Sequence, residues 1–213
     1  MRVAIEIADR EGLGAVSMRR LATDLQARTM SLYSHVANKD ELLDLMLDEL
    51  ALDVSLGADV PAGWRPALLA TARRTREIAL AHPWSIELFG QRSQLGPHTM
   101  RLLEERVRML GELHLPAQQA WSVVTAVNDY VLGYVVREIA QAQAVPTDKA
   151  EAKRWHASVA GYLKDLADSG DFPHIAPLLR GGHASDDDNF ELGLGWLIDS
   201  IERQFAAHRR RRK

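Results

Sequence analysis

Apolar residues recur at helical spacing in the segment that follows Asn38. Four of them lie at positions i, i+3, i+4 and i+7, along one side of an α-helix: Leu43, Met46, Leu47 and Leu50. Similar stripes run through the rest of the chain, whereas the strict alternation typical of β-strands is missing. The sequence therefore predicts an all-α fold.

Helix start and stop signals divide the chain into a small N-terminal part and a larger C-terminal part. Before residue 50 the predicted helices are short, and Ser17 and Asn38 are good N-caps for two of them. The segment 54–63, with two glycines and a proline, is typical of a linker. The helices predicted after it span 64–81, 84–89, 97–113, 116–144 and 148–168, with a last helix that begins at the aspartates 186–188. We predict domains at 1–50 and 51–208, followed by a basic tail at 209–213.

Charge and cysteine content exclude several classes of function. The net charge is −3 although residues 209–213 are all basic, so the body of the chain is acidic and nucleic-acid binding must depend on local charge. Without cysteine there is no disulfide framework, thiolate metal site or thiol nucleophile. No signal peptide or membrane-spanning run is recognisable, so we expect a cytoplasmic protein with no membrane partner.

Motifs for catalysis are missing as well. The sequence has no Gly-x-Ser-x-Gly elbow, His-Glu-x-x-His helix, phosphate-binding glycine loop or dinucleotide fingerprint. The carboxylates at Glu104-Glu105 and 186–188 are typical of a solvated helix face and a helix cap. His174 and His183 lack the spacing of metal ligands. We therefore predict no enzyme activity, no catalytic residue, no metal and no cofactor.

Two short helices at about 18–25 and 28–35, joined by a tight turn, are typical of a helix-turn-helix. In such a unit the second helix enters the DNA major groove. Hydroxyl, Tyr and His side chains occupy most of its positions, and these groups can hydrogen-bond to phosphates or base edges. Arg19, Arg28 and Lys39 supply positive charge in the same region.

Three motifs between Ser17 and Leu43 strengthen this interpretation. They are Ser17-Met18-Arg19-Arg20-Leu21-Ala22, Ser31-Leu32-Tyr33-Ser34-His35-Val36 and Asn38-Lys39-Asp40-Glu41-Leu42-Leu43. In this order and spacing they resemble the TetR family of bacterial transcriptional repressors. Looser similarities to its tetracycline-repressor branch follow at 63–64, 126–133 and 190–194. The resemblance implies an N-terminal three-helix helix-turn-helix domain that binds DNA, plus a larger helical ligand-binding and dimerisation domain.

Carried over position by position, the resemblance implies that six residues face DNA: Arg19, Thr29, Ser31, Tyr33, His35 and Lys39. With Arg28 and Ser34 they make eight predicted DNA-binding residues. We expect Tyr33 and Lys39 to hold phosphates, and Arg19, Thr29 and Ser34 to contact base edges of a double-stranded operator. The turn between the two helices usually contains a glycine and here contains Gln26; because a left-handed conformation is costly for a residue with a side chain, we expect this turn to differ slightly from that of the family. The alternative function is a helical protein-interaction module without sequence-specific DNA binding, in which the segment 28–39 binds protein. The alternative role of Tyr33 and His35 is structural, to anchor their helix to its neighbour.

For the larger domain the resemblance implies a homodimer, whose interface is built from helices at about 118–143 and 189–207. One recognition helix reads few base pairs, so twofold symmetry over a palindromic operator supplies the specificity. The predicted interface residues on the last helix are Gly193, Leu194, Leu197, Ile198 and Ile201. Sealing of the monomer core is the alternative role for these residues.

The resemblance also implies a pocket for an unknown small-molecule inducer, which would act on DNA binding by shifting the helix at about 38–53. The candidate lining residues are Trp84, Phe89, Met100, Leu103, Trp121, Thr125, Asn128, Asp129, Tyr134 and Trp155. Aromatic residues at helical spacing are also typical of a core, whereas Asn128 and Asp129 need polar partners within an apolar helix. Tetracycline is not the expected effector, because Thr71, Thr75 and Arg106 stand where the tetracycline repressor uses other side chains.

Overall fold

A computed structural model of the protein describes residues 1–89, 91–92, 95–181 and 186–211, without the side chains of 181, 186–188 and 206–211. Every regular element in these residues is helical, which confirms the predicted all-α class. The α-helices are α1 Arg2–Glu11, α2 Met18–Asp24, α3 Thr29–Tyr33, α4 Lys39–Val54, α5 Trp64–Ala81, α6 Trp84–Phe89, α7 Pro97–Met109, α8 Ala117–Ala144, α9 Lys149–Asp168, α10 Ala176–Gly181 and α11 Asp186–Arg211. Within these ranges no helix is long and apolar enough to cross a membrane. The side chains of the basic tail and His183 lie outside the described residues.

Local chemistry starts the N-terminal helices where the sequence predicts. The Ser17 hydroxyl accepts a hydrogen bond from the Arg20 N–H at 3.2 Å and caps α2. Asn38 Oδ1 accepts from the Glu41 N–H at 2.9 Å, and the Glu41 carboxylate accepts from the Ala37 N–H at 2.5 Å. This pair is similar to a capping box, except that Glu41 accepts from the residue before the N-cap, and it fixes the start of α4 directly after the helix-turn-helix.

The first four helices enclose one apolar core, to which α6 also contributes. Ile7 of α1, Leu21 of α2 and Met46 of α4 are buried together, with Val36 from the segment that precedes α4. Trp84 of α6 is buried in the same core and donates its indole N–H to Asp9 Oδ1 of α1 at 2.7 Å. The helix-turn-helix is therefore packed against α6 as well as against its own neighbours.

By its internal contacts the chain divides into two compact units. The first contains Met1–Val135 together with the part of α11 from Leu197 onward, and the second contains Val136–Trp196. In the first unit, Arg65 of α5 donates to Asp199 and Glu202 of α11. In the second unit, Asp148 Oδ1 caps α9 by accepting from the Glu151 N–H at 2.9 Å, as its sequence position predicts.

The structure differs from the prediction in the ends of two helices and in one additional helix. The helix predicted at 28–35 is shorter, at Thr29–Tyr33. The helix predicted at 97–113 ends at Met109, and a 3-10 turn at Gly111–Leu113 follows, because Gly111 weakens the helix after its last full turn. The short helix α10 was not predicted at all, since its six residues show neither a cap nor a periodic stripe. Arg180 attaches α10 to α9 by donating to the Ala167 carbonyl and to Asp168.

A buried carboxylate joins α4 to the start of α7. Asp48 is 5% exposed, and its Oδ1 accepts from the N–H and the hydroxyl of Thr99 at 2.8 and 2.9 Å. Its Oδ2 accepts from the His98 N–H at 3.2 Å, so Asp48 serves as the N-terminal acceptor of α7 from another helix. A Cβ added to Gly96 would lie 2.1 Å from Asp48 Cγ, and this approach is possible only for glycine.

Replacing Gly96 with alanine tests this junction. We expect Gly96→Ala to lower the free energy of unfolding by about 2 kcal/mol or more, because Asp48 must move away from the donors of α7. Gly111→Ala is the control, since no atom lies within 4 Å of its added Cβ, and its effect should be about 1 kcal/mol or less. Urea denaturation measures both changes, and equal effects would contradict the proposed contact.

The turn between α2 and α3 contains a residue in the left-handed region. Gln26 has φ 52°, a region that costs a residue with a side chain about 1 kcal/mol. We expect Gln26→Gly to raise the free energy of unfolding by about 0.5–1 kcal/mol in urea denaturation, and Gln26→Ala to give no such gain. Equal stability of the Gly and Ala variants would argue against strain at this position.

Candidate functional site

The predicted DNA-facing residues lie at the surface of the helix-turn-helix. Seven of the eight are exposed, and Thr29, the first residue of α3, is half-buried: the exposed ones are Arg19, Arg28, Ser31, Tyr33, Ser34, His35 and Lys39. Leu32 is the partly buried residue that packs α3 on the core. The structure thus leaves the other side of α3 open to a partner.

The cationic side chains in and beside the helix-turn-helix differ in whether they form ion pairs within the protein. Arg20 donates to both carboxylate oxygens of Glu11 at 2.8 Å and to Asp24 at 3.0 Å, and the bond to Glu11 is the main cause of its raised pKa. Arg19, Arg28 and Lys39 form no ion pair with any residue that the structure describes. These three cations are therefore available for phosphates, whereas Arg20 has a structural role.

Short polar side chains of α3 use only part of their hydrogen-bonding capacity. The hydroxyls of Ser31 and Ser34 donate to the carbonyls of Arg28 and Ser31, each at 2.7 Å, and their lone pairs remain free to accept. Met30, which the predicted site leaves out, is 78% exposed beside them. An exposed methionine on this helix suits contact with a thymine methyl group.

Within the first unit, α4, α5, α6, α7 and α8 surround a cavity of about 240 Å³. Helix α4 contributes apolar side chains from its last three turns, namely Leu47, Leu50, Ala51 and Val54. The wall is largely apolar, with a few polar groups from α5 to α8. This combination is typical of a small-molecule site, although the volume is below the usual range of about 300–1,000 Å³.

Five predicted pocket residues line this cavity, and five do not. Phe89, Leu103, Trp121, Thr125 and Asn128 are lining residues. Trp84 lies in the N-terminal core instead, and Met100 is exposed on α7. Asp129 is exposed because it is one residue beyond Asn128, about 100° further round α8. Tyr134 packs on Tyr130 with ring centroids 5.5 Å apart, and Trp155 belongs to α9 in the second unit.

A buried arginine on α7 is the main polar group of the cavity. Arg106 is 7% exposed, and its Nη2 donates to Thr75 Oγ1 at 2.8 Å while Nη1 donates to Asn128 Oδ1 at 3.2 Å. Its Nε–H has no acceptor among the described residues, and no described carboxylate forms an ion pair with the guanidinium. Asn128 thus has the polar partner that its position in an apolar helix requires.

Burial lowers the pKa of Arg106 to about 10, although the neighbouring Glu105 partly offsets this effect. The side chain stays protonated near neutral pH. One pKa unit corresponds to about 1.4 kcal/mol, so keeping the cation in this site costs on the order of 3 kcal/mol. The sequence carries a signal for this residue that the predicted site does not use: Leu102, Arg106 and Met109 lie at i, i+4 and i+7 on the buried side of α7.

Polar contacts attach α4 to the elements around the cavity. Glu105 of α7 accepts from the Ser55 hydroxyl at 2.5 Å and from the Leu56 N–H at 3.1 Å, directly after the end of α4. Arg92 donates to Asp44 of α4 at 2.8 Å and to Asp40, and the bond to Asp44 is the main reason that its pKa is raised. Helix α4 is therefore attached near both ends to segments that follow it in the chain.

The predicted dimer residues of α11 are mostly internal to one chain. Leu194 and Ile198 are fully buried and Ile201 is 7% exposed, whereas Gly193 and Leu197 are half-buried. Leu192 and Trp196 are 52% and 64% exposed on the same helix. Leu192 and Trp196 are therefore the large apolar side chains that α11 exposes among the described residues.

Replacing the buried arginine should make the free protein more stable. We expect Arg106→Met to raise the free energy of unfolding at neutral pH by about 1–3 kcal/mol, because it removes a desolvated cation that lacks a carboxylate partner. Since the pKa is lowered in the folded state, this advantage should shrink as the pH rises through about 10. Arg108→Met, at an exposed position of the same helix, should change stability by about 0.5 kcal/mol or less. Urea denaturation at two pH values measures both variants, and a large loss of stability for Arg106→Met would contradict this expectation.

Comparison with known proteins gives a consistent result. The family model described as "Tetracyclin repressor-like, C-terminal domain" matches residues 57–205. The HTH-type transcriptional repressor DrrR1 of Streptomyces coeruleorubidus is 36% identical over 211 residues, which cover 98% of this chain and 78% of DrrR1. The crystal structure of apo ActR from Streptomyces coelicolor is 29% identical with a TM-score of 0.79, covering 97% of this chain and 94% of ActR. ActR in complex with actinorhodin is 30% identical with a TM-score of 0.77, covering 96% of this chain and 95% of ActR.

These relatives are transcriptional regulators rather than enzymes, and their similarity extends over both the helix-turn-helix and the larger helical part. The chain belongs to the TetR family and is a DNA-binding transcriptional repressor of that family.

Proposed function

We propose that this repressor binds a palindromic operator as a homodimer and releases it when a small molecule enters the cavity of the first unit. In this proposal residues 1–50 bind DNA, and residues 51–208 bind the ligand and form the dimer. The protein would then act at the nucleoid, in the cytoplasm.

The observation that carries the proposal is the double role of α4. Its first residue, Lys39, belongs to the predicted DNA surface, and its last three turns form part of the cavity wall. A ligand that pushes on Leu50 or Val54 therefore acts on the helix that carries Lys39. The coupling needed is modest, about 1–3 kcal/mol of difference in ligand affinity between two positions of α4. The relative ActR, which is described in complex with actinorhodin, supports a ligand-binding role for this part of the fold.

Exposure supports the proposed DNA contacts. Arg19, Arg28 and Lys39 lack ion-pair partners among the described residues, and we assign them to phosphates or guanine edges. Tyr33 and His35 are exposed and can donate to phosphates, while Thr29, Ser31 and Ser34 can approach base edges. We add Met30 to this surface as an apolar contact.

Exposed apolar side chains support the proposed dimer. Val136 on α8 is half exposed, and Leu192 and Trp196 on α11 expose more than half of their surface. Large exposed apolar residues at i and i+4 of one helix are typical of a protein contact. We propose that these three residues, together with Gly193 and Leu197, form the interface, whereas Leu194, Ile198 and Ile201 support it from within the chain.

The salt dependence of operator binding tests both the proposed DNA contacts and the proposed homodimer. We expect the protein to prefer DNA upstream of its own gene over unrelated DNA, with log affinity falling linearly as log salt concentration rises. Lys39→Gln should weaken binding and lower the salt slope by about 2, because each protomer of a dimer loses one phosphate contact. Fluorescence anisotropy with labelled duplexes at several salt concentrations gives these slopes.

Lys149→Gln is the matched control. Lys149 is also the exposed first residue of a capped helix, behind Asp148, but it lies outside the helix-turn-helix. Its replacement should leave the slope unchanged. A slope that falls by about 1 for Lys39→Gln would indicate a bound monomer, and the lack of any sequence preference would refute operator binding.

A further inference from the structure

From the polar groups of the cavity we propose that its ligand is an organic acid, a compact apolar compound whose carboxylate binds Arg106. This inference rests on the proposed ligand-controlled function and adds the chemical class of the ligand. It depends on the hydrogen bonds and burial of Arg106 and Ser85, which line the cavity, and on the contacts that occupy Glu105, the neighbour of Arg106 in sequence.

The positively charged side chain of Arg106 forms no ion pair with a described carboxylate. An arginine that is 7% exposed normally pairs with a carboxylate, because an isolated buried cation is costly. The carboxylate next to it in sequence, Glu105, is already used by the Ser55 hydroxyl and the Leu56 N–H. The hydrogen bonds of Arg106 go instead to neutral oxygens, those of Thr75 and Asn128.

The remaining donors of Arg106 suit a carboxylate. A guanidinium has five N–H groups, and Thr75 and Asn128 accept from two of them. In any planar guanidinium the Nε–H and one N–H of the adjacent Nη2 form an edge, and in Arg106 the Nε–H of this edge has no acceptor among the described residues. A carboxylate binds such an edge through two parallel hydrogen bonds, and a neutral group cannot supply the compensating charge.

Neighbouring side chains fix the position of this edge. Thr75 donates its own hydroxyl proton to the Thr71 carbonyl at 2.8 Å, so its oxygen is oriented to accept from Arg106. Asn128 holds the other Nη from α8. Held from α5 and from α8, the guanidinium is preorganised, which lowers the entropic cost of binding an anion.

The rest of the cavity suits an apolar body of two or three rings. Its volume is about 240 Å³, and most of its other lining side chains are aliphatic or aromatic, for example Leu50, Val54 and Phe89. Ser85 supplies a second polar contact, since its fully buried hydroxyl lines the cavity and has no partner among the described residues. An oxygen substituent on the ligand would satisfy it.

Matched acids and amides test the inference on the full-length wild-type protein. Isothermal titration calorimetry at neutral pH would compare benzoic acid, 2-naphthoic acid and anthracene-2-carboxylic acid with their primary amides, which have nearly the same shape without the charge. We expect the best-fitting acid to bind at least tenfold more tightly than its amide. Failure of every acid to bind, or equal binding of acids and amides, overturns the proposal.

Two variants test whether the preference for acids over amides depends on Arg106. Arg106→Gln should reduce the acid-to-amide ratio to near one, whereas Ser85→Ala, which also changes the cavity wall, should keep it. An acid-to-amide ratio near one in both variants, or an unchanged ratio in Arg106→Gln, would overturn the assignment of the carboxylate to Arg106. Circular dichroism checks that the variants fold, and the acid–amide comparison on the wild-type protein stands without them.

Operator release is measured separately, so that the two proposals can fail independently. If acids bind and operator affinity stays the same at saturation, the carboxylate site stands and ligand-controlled release is wrong. If the protein prefers its operator but no acid binds, the DNA-binding function stands and the carboxylate site is wrong. Weaker operator binding in the presence of the preferred acid, and not of its amide, supports both.

Discussion

Helix α4 belongs to two apolar clusters at once, and the arrangement of the first unit depends on this. Leu42, Leu43 and Met46 complete the core of the helix-turn-helix, whereas Ala51 and Val54 pack with Leu102 of α7. Leu47 and Leu50 lie between them, buried in the N-terminal core and also lining the cavity. Because packed interiors leave little free volume, a group that enters the cavity beside Leu50 must be accommodated by the same side chains that position α3.

The polar contacts of α4 make a gradual displacement unfavourable. Asp48 accepts three hydrogen bonds from the first turn of α7 in a buried site, and moving it partway would leave a carboxylate without donors. An unsatisfied buried group of this kind costs about 1–3 kcal/mol or more. Helix α4 therefore either moves together with α7 or breaks this junction completely. Two discrete arrangements of this sort are what a ligand-dependent switch requires.

Local features of this fold could be predicted from the sequence, and the features of the site could be predicted only in part. Caps at Ser17, Asn38 and Asp148 depend on neighbouring residues alone, so their positions follow from the chain. Periodicity tells which side of a helix faces inward, but it does not tell which inward residues border a void. For this reason the predicted pocket includes Phe89 and Trp121, which line the cavity, and also Trp84, which packs in the core instead. The role of Asp48 depends on Gly96, 48 positions away, and no local pattern indicates that contact.

Arg106 explains how such a cavity can select a ligand without a large affinity. In the free protein its charge is kept at a cost, and most of the hydration of the guanidinium has been lost before any ligand arrives. A carboxylate supplies the missing negative charge and so offsets the cost of the desolvated guanidinium. A neutral compound of the same shape removes the remaining hydration and supplies no compensating charge. Discrimination therefore comes from the penalty on the wrong ligand more than from attraction of the right one. The same penalty disfavours partial occupancy by neutral metabolites, so α4 would respond to one charge class of compound among many of similar shape.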